Sequence, residues 1–206
     1  MKLIINLSLL SLIVACSSRK LERDYKVVDA SSQEIPEWVE DLDEWLDDEE
    51  DDFKKHRYYI YTTEAKNSRS TACEIAKARS ASNVAGEVST FIKQSLAQSR
   101  HGDPTKTNGK LAEYIQDDLA KEVQAFIVGA QNYKVYWEKR RFLKEQGAKK
   151  DWDGFVCTSL VKISKSNLKK AFKRSEEALA AKVDVKAKEQ VQKIMQEAAE
   201  AYTKVQ

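Results

Sequence analysis

Across residues 71–99, apolar or small side chains recur at Ile75, Ala78, Ala81, Val84, Ala85, Val88, Phe91, Ile92 and Leu96. Spacings of three and four residues put them on one helix face, so the stretch predicts a long amphipathic helix whose stripe needs a partner layer. Asn67, Ser68 and Ser70 supply candidate N-caps in front of it. The partner layer is signalled on both sides. "RYYIYTT" (57–63) is aromatic and β-branched, which predicts a strand. "RHGDPTKTNG" (100–109) interrupts the helix with Gly and Pro, and a second helix over 111–124 carries Leu111, Ile115, Leu119 and Val123 on one stripe. "AFIVGAQNYKVYWEKRRFL" (125–143) alternates through Tyr133, Val135 and Trp137, and "FVCTSLVKI" (155–163) is again β-rich. With the polar "KEQGAKKDWDG" between them, these runs predict a hairpin with a long connection. A further helix, capped by Ser164 or Ser166, carries Leu168, Ala171, Phe172 and Leu179. From 183 to 206 a charged helical extension keeps Val191, Ile194, Met195, Ala198, Tyr202 and Val205 on one face, and the sequence leaves open whether it packs or stands free. The order β-α-α-β-β-α predicts an α+β domain over 57–182: a small antiparallel sheet of about three strands, with long helices on one face and a C-terminal helical extension.

The start of the chain has a different character. Lys2 precedes a run over 3–14 that is apolar except for Asn6, Ser8 and Ser11. A spanning helix needs about 20 such residues, so this run fits the h-region of a secretory signal instead. It ends in "IVACSS", where Ile13-Val14-Ala15-Cys16 resembles the lipobox of bacterial lipoprotein signals. The resemblance implies cleavage after residue 15 and a lipid on Cys16, with more than one acyl chain for stable anchoring. The absence of aspartate at Ser17 points, by the same resemblance, to the outer membrane, facing the periplasm. Residues 16–35 are polar and aperiodic and predict a flexible tether.

Past Cys16 no stretch reaches spanning length. The formal net charge of +2 gives no reason to expect a nucleic-acid partner. The charge is nevertheless segregated. "EDLDEWLDDEEDD" (40–52) is almost wholly acidic, whereas residues 134–206 hold 18 Lys and Arg against 10 Asp and Glu. Such blocks are solvated or serve as interaction segments. Within 36–56, Pro36 opens a short segment whose Trp38 and Trp45 can share a helical face and dock on the domain, and the acidic run after them reads as mobile.

Four pieces in this order resemble the bacterial LPP20-like lipoprotein family: "PEWV" (36–39), "RYYIYTTEA", "CEIAKARSASNVAGEVSTFI" and "VYWEKRR…FVCTSLVKISKSNL". The similarity spans about 36–172, departing from the family pattern in its acidic insertion and in lacking a Gly-x-Gly strand ending. It implies a cell-envelope lipoprotein, with some members building disks or rings at the flagellar motor, and it carries no catalytic residues.

No catalytic or metal-binding constellation is legible. His56 and His101 are the only histidines, and both read as exposed loop residues. The acidic run lacks the alternating spacing of a calcium loop. Gly86 stands alone in a helix, where close packing on the sheet would explain it. Cys73 and Cys157 read as small buried residues or, in an oxidising compartment, as a disulfide. Tyr59, Tyr61, Tyr133, Trp137 and Trp152 lie on predicted strands and the adjoining turn, so those not in the core can form an aromatic platform for proteins or glycans. An enzymatic reading would require a concave pocket gathering Glu138, Arg140 and tyrosines. The reading is therefore a non-enzymatic, lipid-anchored protein without a cofactor. It acts by protein contacts, including self-assembly driven by opposite charge, with glycan binding as the alternative.

Overall fold

A computed structural model describes residues 23–204, apart from Glu49, Arg100, Gly102, Thr107 and Asn108. The signal segment, Cys16 and residues 17–22 lie outside the described residues. Four strands form one antiparallel sheet: β1 (Tyr25–Ala30), β2 (His56–Thr62), β3 (Gln131–Phe142) and β4 (Trp152–Ser164), in the spatial order β1-β3-β4-β2. The α+β class expected from the sequence is present, with one more strand than the three expected. The extra strand corrects the tether. Residues 25–30 pair with β3 from Tyr25 opposite Phe142 to Ala30 opposite Glu138, with a bulge between Val27 and Asp29. "YKVV" carries little hydrophobic pattern, and only pairing with β3 makes it a strand.

The inner face of the sheet meets the long helix α4 (Arg69–Ala97). Ser68 caps α4, its hydroxyl accepting from Thr71 N–H. The predicted second helix is two, α5 (Gly109–Asp117) and α6 (Leu119–Phe126), with the chain turning at Asp118. The helix α7 (Lys165–Ala180) begins at Ser164, which accepts from Asn167 N–H at 3.1 Å. The last helix, α8 (Val185–Lys204), is part of the core. Its Val191, Ile194, Met195 and Tyr202 are buried in one cluster with Val88 and Ile92 of α4, Phe172 and Leu179 of α7, and Tyr59, Val161 and Ile163 of the sheet. Each aliphatic side chain buried this way contributes roughly 1.5–3 kcal/mol, so α8 is structural rather than an appendage.

The long helices pack on the inner face, as expected, and the outer face is covered by short ones. Three short helices lie over it: α1 (Glu37–Glu40), α2 (Leu42–Asp48) and α3 (Glu50–Phe53). Trp38, Trp45 and Leu46 are buried against Tyr58, Tyr136 and Leu160. The two tryptophans dock as their spacing suggests, on consecutive short helices. The acidic run is held in place with them rather than mobile, because its few apolar residues all point at the sheet. Asp52 fastens its end: the Tyr58 hydroxyl donates to its carboxylate, Lys162 Nζ approaches at 3.2 Å and His56 Nδ1 at 2.9 Å.

A disulfide joins Cys73 at the start of α4 to Cys157 in the middle of β4, with Cα atoms 5.0 Å apart across 84 residues of sequence. Gly86 departs from expectation. It is exposed, and a Cβ there would meet nothing within 4 Å, so close packing does not account for it.

Candidate functional site

Strand alternation sends Tyr136, Glu138 and Arg140 of β3 to the outer face, away from α4. With Tyr25 of β1, Val39 and Glu40 of α1, and Thr158 of β4 they line a cleft of about 390 Å³. Glu138 is buried at 5% exposure and forms an ion pair with the Arg140 guanidinium. Tyr136 Oη lies 3.5 Å from the other Glu138 oxygen. The Arg140 guanidinium sits 4.2 Å above the Tyr25 ring, and that of Arg23 lies 5.8 Å from the same ring. Thr62 and Thr158 add two hydroxyls, 2.9 Å apart. Burial and then the Glu138 charge push the Tyr136 hydroxyl above its ordinary pKa, so it stays protonated at neutral pH.

The cleft thus gathers Glu138, Arg140 and tyrosines, the spatial condition set by the sequence for a reactive site. Chemically, its carboxylate is engaged by a guanidinium on its own strand. The geometry holds an aromatic face, fixed charges and hydroxyls ready for a polar ligand. An aromatic row continues the cleft along the sheet: Tyr25 lies 5.5 Å from Phe142, which stacks on Trp152 at 4.7 Å with an interplanar angle of 11°.

The five aromatic residues singled out from the sequence do not form one platform. Tyr59 is a core residue at 5% exposure, its hydroxyl 2.8 Å from that of Tyr202, and this corrects its reading as a binding residue. Tyr61 and Trp137 are half-buried on the inner face near the disulfide, with the Arg69 guanidinium 4.9 Å above the Trp137 ring. Tyr133 is exposed on the outer face, 6.4 Å from Trp45, with Lys162 Nζ 4.1 Å over its ring. Trp152 alone joins the row that leads to the cleft. Tyr25 and Arg23 were missed because they lie in the segment read as a tether. The β-branched Val27 and Val28 were the available signal.

Of the two histidines, His101 is an exposed turn residue, as expected, whereas His56 is half-buried at the start of a strand. His56 opens β2 against Asp52, and His101 Nε2 lies 3.1 Å from Glu197 of α8. Among the described residues no group of three or more His, Cys, Asp or Glu side chains is placed to hold a metal ion. No helix among them is long and apolar enough to cross a membrane. No protein-family model matches the chain, and neither does any curated protein or solved structure.

Proposed function

We propose that this is a lipid-anchored protein of the bacterial cell envelope, of the LPP20-like kind, that works through protein–protein contacts and self-assembly rather than catalysis. The observation that carries this reading is the placement of opposite charge on opposite sides of the molecule. On the outer face, the exposed Asp43, Glu44, Asp47 and Asp48 belong to α2, which is fixed by its buried Trp45 and Leu46. In the helical layer behind the inner face, α7 exposes Lys169, Lys170, Lys173 and Arg174. Two such surfaces on neighbouring copies attract, and because they are different surfaces the contact is heterologous, closing into a ring or growing as a filament. The Cys73–Cys157 disulfide supports an oxidising compartment such as the periplasm. Lipidation at Cys16 of an outer-membrane protein accords with both.

Size-exclusion chromatography of residues 17–206 tests the assembly. We expect larger species at low salt that fall to monomer at high salt, and a weaker shift for K169E/K170E. A monomer at both salts, even at high concentration, sinks the charge-driven assembly. The cleft at Glu138 and Arg140 favours a second reading, a periplasmic module that binds glycan through the Tyr25 face. This reading predicts sedimentation with purified sacculi that Tyr25→Ala weakens; equal sedimentation of the two forms would oppose it.

A further inference from the structure

The β3–β4 turn lies where the chain enters the fold. Tyr25 pairs with Phe142, the last residue of β3, and Leu143 N–H donates to Asp24 carbonyl oxygen at 3.2 Å. The turn over 143–151 therefore projects from the end of the sheet at which residue 23 arrives. Residues 17–22 reach at most roughly 20 Å even when fully extended. With a lipid on Cys16, this end of the sheet is held at the membrane surface, and the long standoff of a tether running to residue 35 disappears.

The chemistry of that end suits an anionic surface. Lys144, Lys149 and Lys150 are exposed on the turn, against Glu145 and Asp151. Asp151 is occupied as an acceptor, its Oδ1 taking the Lys144 backbone N–H. Asp153 is neutralised by Arg141 at 2.9 Å and Lys139 at 2.9 Å. Arg23 and Lys26 add exposed cations on the adjoining strand, beside Asp24. Gly147, at φ +100°, shapes the turn that presents the lysines. Next to them lies the row Tyr25–Phe142–Trp152, and tyrosine and tryptophan rings settle at the headgroup level of membranes. The acidic helix α3 and its anchor Asp52 sit at the far end of the sheet, where Lys162 near the close of β4 holds them. The entering end of the sheet therefore presents Lys144, Lys149 and Lys150 at its tip, beside the exposed Arg23 and Lys26.

We infer that the β3–β4 turn, through Lys144, Lys149 and Lys150, docks on the anionic phospholipid headgroups of the membrane that holds the lipid anchor. This rests on the anchored reading above. The turn then sets the orientation of the domain, so that the cleft opens beside the bilayer and α3 lies at the end away from it.

The test uses residues 17–206 without lipid, since the described core lies wholly within 23–204 and needs nothing before it. Vesicles of phosphatidylglycerol in phosphatidylcholine should sediment the protein at low salt, and vesicles of phosphatidylcholine alone should not. K144Q/K149Q/K150Q should lower the partition coefficient on the order of a hundredfold, the size expected for three lysines near an anionic surface. K110Q/K121Q/K188Q removes the same charge from exposed positions of the helical layer outside the assembly surface and should stay within about threefold of the parent. No binding to the anionic vesicles, or equal loss in both triple variants, overturns the inference. Mass spectrometry of the mature N-terminus separates the two ideas: an unmodified Cys16 overturns the anchored reading, whereas a lipidated Cys16 with no vesicle binding by the fragment overturns only the role of the turn.

Discussion

Arg57 sits at 6% exposure inside the protein, with partners for both terminal nitrogens and, among the described residues, none for Nε. It donates to the Tyr202 carbonyl at 2.8 Å and to Glu87 at 3.0 Å, and its guanidinium lies 3.9 Å above the Tyr202 ring. The Tyr202 hydroxyl in turn reaches Glu87 at 3.0 Å, so one network ties α8 to β2 and α4. Burial pushes the Tyr59 hydroxyl up to about 12 and moves that of Tyr202 upward too. A tyrosine whose folded pKa is raised holds its full contribution below the unfolded value near 10 and loses it as pH rises through the folded one. We therefore expect stability to fall between about pH 10 and 12. Tyr59→Phe should cost about 1 kcal/mol at pH 7 and flatten that alkaline limb, as read by urea denaturation at several pH values. Gly86 gives the opposite expectation. Exposed in mid-helix with open space around it, Gly86→Ala should stabilise by about 0.5–1 kcal/mol, visible as a raised urea midpoint.

Among the elements, α4 and β4 are joined covalently, and the outer helices are held by buried tryptophans and, at their end, by charge. Closing a loop across 84 residues constrains the unfolded chain strongly. Replacing both cysteines with serine should cost about 2–5 kcal/mol, seen as a lower melting temperature that no longer responds to reductant. The outer helices respond to acid. Asp52 is held below the usual carboxylate range by the Tyr58 hydrogen bond first, then by Lys162 and His56. A lowered carboxylate pKa gives stability that is present above the unfolded value near 3.8 and lost as pH falls through the folded one. Acid should thus loosen α2 and α3 before the core, reported by the Trp45 fluorescence, since that ring packs at 5.6 Å from Tyr58. Asp52→Asn should bring the same change at neutral pH, with a cost of about 1–2 kcal/mol. An acid transition in which Trp45 and the core unfold together in the parent would contradict this.

At the scale of the whole molecule, the two layers on the sheet differ in what they hold. The helical layer carries the main core, and α8 places Val191, Ile194, Met195, Ala198 and Tyr202 in it. Removing residues 183–206 strips about 10 kcal/mol of burial, comparable to the 5–15 kcal/mol that holds a domain together. The truncated chain should lack a cooperative melting transition in circular dichroism. The outer layer is thinner and leaves the cleft open between β1 and α1. The same sheet thus stabilises the fold on one side and presents chemistry on the other.

The sequence alone specified α4, α7 and the β3–β4 hairpin, because long runs with a 3.6- or 2-residue period and a serine cap state their structure locally. Ser68 and Ser164 act where the pattern placed them. It also specified charge segregation and an N-terminal run unlike the rest. Tertiary structure decided the remainder. β1 has too short a pattern to announce itself, and becomes a strand only because the edge of β3 accepts it. The acidic run reads as solvated by composition, yet its two tryptophans and Leu46 find a sheet face that local sequence could not reveal. Cys73 and Cys157 were compatible with pairing or with burial until α4 was laid across β4. The five aromatic residues were sorted by the parity and register of their strands, which sent Tyr59 into the core and Trp152 to the cleft row. Glu138 and Arg140 meet Tyr25 only across two strands far apart in sequence. Local periodicity determines elements, whereas a site made from several strands exists only once their register is set.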